Sequence, residues 1–186
     1  MQTQAMFYSI EEQSSIPDVP AEQLHLYYAC LQAAYFYRQN QRVFIYTQDQ
    51  TNAHIIDEML WAFDPDSFVP HNLIGEGPKQ GGAVEISWQA PTNRRAVLIN
   101  LTCEVPNFAH QFSHLIDFVP SDEALKEQAR NRFRTCRQWG FTVSHQTALP
   151  AAGASSLAGA PSLAGAPSLA GAPSLAGAQQ TINKTI

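Results

Sequence analysis

LHLYYACLQAAYFYRQNQRVFIYTQDQTNAHIIDEMLWAF, residues 24–63, sets two helical periodicities around one strand. Leu24, Tyr27, Tyr28, Leu31, Ala34 and Tyr35 recur at spacings of three and four, the pattern of a helix that buries one broad face. Arg42-Val43-Phe44-Ile45-Tyr46-Thr47 follows, β-branched and aromatic throughout, as a buried strand. Ile55, Ile56, Met59, Leu60 and Phe63 then restore helical spacing up to Asp64-Pro65, where proline stops it. Upstream, Met6 to Ile10 reads as a first strand. Downstream, SFVPHNLIGEGPKQGG reads as a loop, Val84 to Trp88 alternates as a half-buried strand, and Ala96 to Leu101 is fully apolar. Phe108, Phe112 and Leu115 suit a short helix running into Ile116 to Val119 as a last core strand. A final helix N-capped by Ser121, with Asp122 and Glu123 in its first turn, runs to Trp139 and stops at Gly140. Strands alternating with helices predict one α/β domain, a mostly parallel sheet with helices on both faces.

The chain has 186 residues and a net charge of −5, yet the final stretch carries only Lys184. From Ser156 it repeats SLAGAP, with a proline every six residues to interrupt any helix and little side chain to bury. Residues 1–149 are therefore expected to form the domain and residues 150–186 a disordered low-complexity tail. An acidic body argues against direct, general binding of nucleic acid or an anionic membrane, which requires excess Lys and Arg. No apolar run approaches a membrane span, and MQTQAMFYSIEEQ lacks the basic and apolar segments of a secretory signal, so a cytoplasmic location is expected. Cys30, Cys103 and Cys136 form no C-x-x-C pair and read as small core residues in a reducing compartment.

Several familiar chemistries fail on spacing. Gly75, Gly77, Gly81 and Gly82 invite a phosphate loop, but Lys79 is followed by Gln80, more glycine and a strand rather than by Ser/Thr and a helix. The dinucleotide fingerprint belongs after the first strand, where this chain has EEQSSIPDVP. His110 and His114 stand four apart, as a helical metal pair would, but Gln111 spoils H-E-x-x-H and no third ligand is evident. There is no G-x-S-x-G elbow and no Cys/His pair in a defined setting. No catalytic residue, metal or cofactor is expected; a small-molecule or nucleotide-binding α/β enzyme of unknown reaction is the alternative.

The last helix, SDEALKEQARNRFRTCRQWG, is the informative feature. At about 100° per residue, Lys126, Arg130, Arg134 and Arg137 fall within ~80° of one another, while Leu125, Ala129 and Cys136 form a separate buried stripe. Residues 126–137 hold five bases and one acid in an otherwise acidic body. Such a stripe is either a solvated cationic face or a site for a specific anionic partner, and Phe133 at its edge suits a ligand that combines carboxylates with an apolar group. In SFVPHNL, Phe68 and Val69 precede Pro70, which favours an extended backbone and an outward aromatic. Trp61 is either core packing or part of an interface.

IDEMLW (56–61), SFVPHNLIGEGP (67–78), VEISW (84–88), DFVP (117–120) and ALKEQARNRF (124–133) with the closing Gly140-Phe141 resemble the chi subunit of bacterial DNA polymerase III, in order along residues 5–145. That resemblance implies a non-catalytic clamp-loader accessory subunit, with a fold similar to doubly wound nucleotide-binding domains but lacking their phosphate loop. It implies a bridge from the replicase to single-stranded-DNA-binding protein, made by gripping that protein's acidic C-terminal tail, and pairing with the psi subunit. By the same resemblance Lys126, Arg130 and Arg134 hold the tail's carboxylates, while Phe133, Val119 and Trp61 shape the apolar side. Phe68, with Val69 and Pro70, lies at the contact with psi or with a repair helicase competing for that surface. Phe133 stands where better-known members carry tyrosine, so the ring contact is kept and a hydroxyl hydrogen bond is lost.

Overall fold

The computed structural model describes residues 2–11, 16–62, 68–79 and 81–148. The SLAGAP tail, and the Asp64-Pro65 stop of the second helix, lie outside these residues. In chain order the elements are β1 (Gln4–Ser9), α1 (Leu24–Arg38), β2 (Val43–Thr47), α2 (Gln50–Ala62), β3 (His71–Leu73), β4 (Val84–Ser87), β5 (Val97–Leu101), β6 (His114–Val119), α3 (Glu123–Gln138) and β7 (Thr142–Thr147). Short 3-10 turns at Ala21–Gln23 and Asn107–Gln111 precede α1 and β6. The strands form one seven-stranded sheet in the order β3-β4-β2-β5-β6-β1-β7, and each pairing is parallel.

Side-chain alternation along each strand explains the two layers. Val43 and Ile45 point with Ile86, Ile99, Ile116 and Phe118 into a core roofed by α1 and α2, which supply Leu26, Ala29, Cys30, Ile56 and Leu60. Phe44, Leu98, Leu115 and Phe7 point the other way, against Phe108, Phe112 and Cys136 of α3. Central strands covered on both faces read as unbroken apolar runs, as Val97-Leu98-Ile99 does. The α/β reading with helices on both faces therefore holds.

Local differences have identifiable causes. The loop expected at residues 67–82 contains β3, only three residues long, whose pairing with β4 comes from the sheet and not from the strand propensity of His71 or Asn72. Ile116–Val119 is not the end of the sheet, because β7 follows α3 and pairs with β1. Its sequence TVSHQT is largely exposed, as a charge-poor polar edge strand can be, so it carries no apolar signature. Asp122, not Ser121, caps α3, accepting from Leu125 N–H at 3.0 Å. Gly140 takes φ +78° just past the helix, the left-handed conformation that glycine adopts without strain. Phe112 and Leu115 do not continue a helix: the 3-10 turn ends at Gln111, Phe112 is extended and Leu115 lies in β6. Cys103 is exposed, unlike Cys30 and Cys136, because it sits in the turn after β5.

Candidate functional site

Helix α3 carries two different arginine environments. Arg132 points inward, where its Nε and Nη2 donate to Asp117 Oδ2 and Oδ1 at 2.8 Å each, and Nη2 also reaches the Phe118 carbonyl at 3.1 Å. Asp117 is fully buried in β6 and accepts further bonds from Asn100 Nδ2 at 3.2 Å and from the Phe118 N–H. Burial pushes the Asp117 carboxyl up, and Arg132, Asn100 and the Phe118 amide pull against that push. These groups tie α3 to β5 and β6 through one buried network. Of the five bases in residues 126–137, Arg132 therefore does not face solvent: it joins Ala129 and Cys136 in the buried stripe in place of the expected Leu125, which is instead 40% exposed in the first turn.

The outer face of α3 alternates cations with carboxylates. Glu123 lies 3.6 Å from Lys126 Nζ and accepts from Arg130 Nη1 at 3.0 Å. Glu127 accepts from the same Arg130 nitrogen at 3.1 Å and from Arg134 Nη2 at 2.9 Å. The hydrogen bond from Arg130 holds the Glu127 carboxyl below its ordinary range, and Glu127 in turn raises Arg130. Phe133 and Val119 are partly buried against the core between α3 and the sheet, Phe133 meeting Phe7 edge-on with centroids 5.2 Å apart. Lys126, Arg130 and Arg134 thus share the outer face of α3, while Phe133 and Val119 pack against one buried cluster beneath that helix.

Trp61 does not belong to that group. It ends α2, on the opposite face of the sheet, and its ring lies tilted beside Phe68 at 5.6 Å and edge-on to His71 at 4.9 Å. Trp61 is 64% and Phe68 62% exposed, two large apolar rings side by side in solvent. His71 supports them: its Nδ1 lies 2.7 Å from the Val69 carbonyl, which can only accept, and its Nε2 lies 3.5 Å from Asp57. Phe68 does face solvent, but Val69 is 1% exposed and serves the core, while the half-buried Pro70 accepts from Val84 N–H. His71, which sequence reasoning passed over, is the residue that links the aromatic pair to β3.

The glycine loop has the wrong polarity for phosphate. Gly81 and Gly82 turn their carbonyls to Arg42 Nη2 at 2.9 Å and Arg95 Nη1 at 2.8 Å, and the Gly81 N–H is spent on Pro78. Arg95 is anchored by Glu85 at 2.6 Å in a buried pair. A Cβ on Gly81 would run into both guanidiniums, and its φ of +75° is itself costly for other residues. His110 and His114 lie on different elements, and no group of three metal-ligating side chains occurs among the described residues.

Residues 2–144 match the family model described as DNA polymerase III chi subunit, HolC. Among curated relatives, "DNA polymerase III subunit chi" of Haemophilus influenzae is 47% identical over 118 residues, 62% of this chain and 82% of that one. The Escherichia coli protein of the same name is 40% identical over 146 residues, 77% of this chain and 97% of its own, and the Pseudomonas aeruginosa one 34% identical over 115, or 62% and 80%. Of solved structures, "The crystal structure of T4 UvsW" is similar at a TM-score of 0.49 with 7% identity, over 79% of this chain and 41% of that one. With the family model matching residues 2–144, nearly the whole described region, and relatives of the same name at 34–47% identity, this chain belongs to the chi subunit family of DNA polymerase III.

Proposed function

We propose that this chain is a non-catalytic cytoplasmic adaptor of the polymerase III holoenzyme that grips the acidic C-terminal tail of single-stranded-DNA-binding protein on the outer face of α3. The observation that carries the reading is the row Lys126, Arg130 and Arg134 on the outer face of α3, with Phe133 and Val119 partly buried beneath that helix. Guanidinium groups match carboxylates by paired N–H donors, and Phe133 and Val119 offer apolar contact to a residue near the peptide's end. An acidic peptide suits this acidic protein better than a nucleic acid, because its affinity depends on a few placed cations and not on total charge.

The Trp61–Phe68 pair supports a second docking surface, for the psi subunit or for a helicase that competes with it. Exposed, adjacent aromatic rings braced by a histidine have the character of an interface anchor. Trp61 is accordingly assigned to this second surface and not to the tail site.

Fluorescence-anisotropy titration of a labelled peptide ending in the acidic tail, against wild type and Arg130→Ala, tests the first surface. Wild type should bind, and the variant should bind about tenfold or more weakly, since a charge-assisted pair is lost. Equal affinity of the two proteins would remove the tail from α3.

A further inference from the structure

Glu123 and Glu127 already occupy the cations that the tail reading assigns to the ligand. Arg130 shares one nitrogen between both carboxylates, Lys126 faces Glu123, and Arg134 donates to Glu127. We infer that Glu123 and Glu127 are resident competitors for the tail, specificity-determining residues that admit a ligand with several closely spaced carboxylates and turn away one with a single negative charge. The inference rests on the α3 reading above.

The argument is one of exchange. Two carboxylates lie among three cations on this face, so the free row presents a net charge of about one and not three. A monocarboxylate can replace only one glutamate contact, and it then sits beside the other glutamate, which repels it. A peptide with several acids can take Lys126, Arg130 and Arg134 together and leave both glutamates free to swing into water. Both glutamate side chains are more than half exposed, at 72% and 53%, so they can leave without opening the core. Helix geometry makes the competition local: the paired positions 123/126 and 127/130 are three apart and 123/130 and 127/134 seven apart, so all five residues share one face.

Glu127 is the decisive partner because it bridges two arginines, whereas Glu123 reaches one arginine and a lysine at longer range. Glu127→Gln keeps the side chain's length and helix preference but removes the charge. Two labelled peptides serve as probes: one with three aspartates before an apolar C-terminal residue, and one with all three changed to asparagine, which leaves the terminal carboxylate as its single negative charge. Both are titrated against wild type, Glu127→Gln and Arg130→Ala at fixed salt. Glu127→Gln should bind the three-aspartate peptide about two- to fivefold more tightly than wild type. It should bind the asparagine peptide with a larger gain, so that the ratio between the peptides narrows. Unchanged or weaker binding by Glu127→Gln, with wild type binding and Arg130→Ala failing, overturns the competitor role and leaves the α3 site standing. Absence of binding by every protein overturns both. Glu123→Gln provides a second variant, expected to act in the same direction with a smaller gain.

Discussion

Replacing Arg132 by leucine separates the arginine that holds the fold from those that face solvent. The substitution strands Asp117, fully buried in β6, with only Asn100 and the Phe118 amide as donors. It removes two 2.8 Å charge-assisted bonds and the donor to the Phe118 carbonyl. Breaking one side of a buried pair costs about 3–5 kcal/mol, a large part of the roughly 5–15 kcal/mol that keeps a domain folded. At roughly 2–4 °C per kcal/mol for a chain of this size, Tm should fall by about 6–20 °C. The variant also carries a signature in pH. Without Arg132, burial pushes the Asp117 carboxyl further above its ordinary value, so the folded state binds a proton that the unfolded state has released. This group's contribution is then fully present below the ordinary carboxylate range and is lost as pH rises through the raised folded value, so the deficit against wild type should grow as pH rises above that range. Scanning calorimetry from that range to neutral pH, with Arg134→Leu as the exposed control, gives both readings. Asp117→Leu combined with Arg132→Leu should recover part of the loss, because an apolar pair leaves no charge behind. A Tm for Arg132→Leu within about 2 °C of wild type at neutral pH would refute the buried-pair argument.

Two further outcomes follow from the same structure. His114 and His25 are both held below the ordinary histidine value of 6.5 by burial, so their neutral forms stabilise the fold above that pH and the contribution is lost as pH falls through the lowered values. In urea titrations, His114→Gln should flatten the stability loss between about pH 7 and pH 5, and an unchanged slope would exclude His114 as a source. Trp61→Ala and Phe68→Ala should weaken binding of purified psi by roughly 30-fold as exposed anchors do, while leaving tail-peptide affinity and Tm nearly unchanged. Loss of both partners in either variant would contradict two separate surfaces.

How much of this was legible in the chain depended on whether a residue's neighbours lay nearby in sequence. The central strands announced themselves because both faces are covered, as in Val43 to Ile45 and Val97 to Ile99. Strands β3 and β7 did not, since an edge strand owes its conformation to a partner far along the chain: His71–Leu73 to β4, Thr142–Thr147 to β1. On α3 the missed information was present locally. A wheel drawn at about 100° per residue puts Arg132 about 40° from Cys136, inside the buried stripe, and puts Glu123 and Glu127 among the cations. Counting bases overlooked what angles show. Only the partner of Arg132 was hidden, because Asp117 in DFVP reads as an ordinary strand-end acid until β6 is placed under α3. Trp61 was ambiguous for the opposite reason: its periodicity fits a helix end, and nothing in the sequence tells which face of the sheet α2 covers.

That placement of faces bears on how an adaptor can hold two partners. Helix α2 and β3 present Trp61 and Phe68 at one end of the sheet, under the core that Ile56 and Leu60 complete. Helix α3 lies across the sheet on the other face, packed on β6 and β7. The order β3-β4-β2-β5-β6 puts four strand spacings between β3 and β6, about 19 Å along the sheet, before the thickness of either helical layer is added. The Debye length at physiological salt is about 8 Å, so charge placed on Arg130 is screened from Trp61. Between them stands a parallel sheet whose central strands are buried on both faces. Under the proposed function, two partners held on separate faces of this sheet are linked by tethering through the shared scaffold.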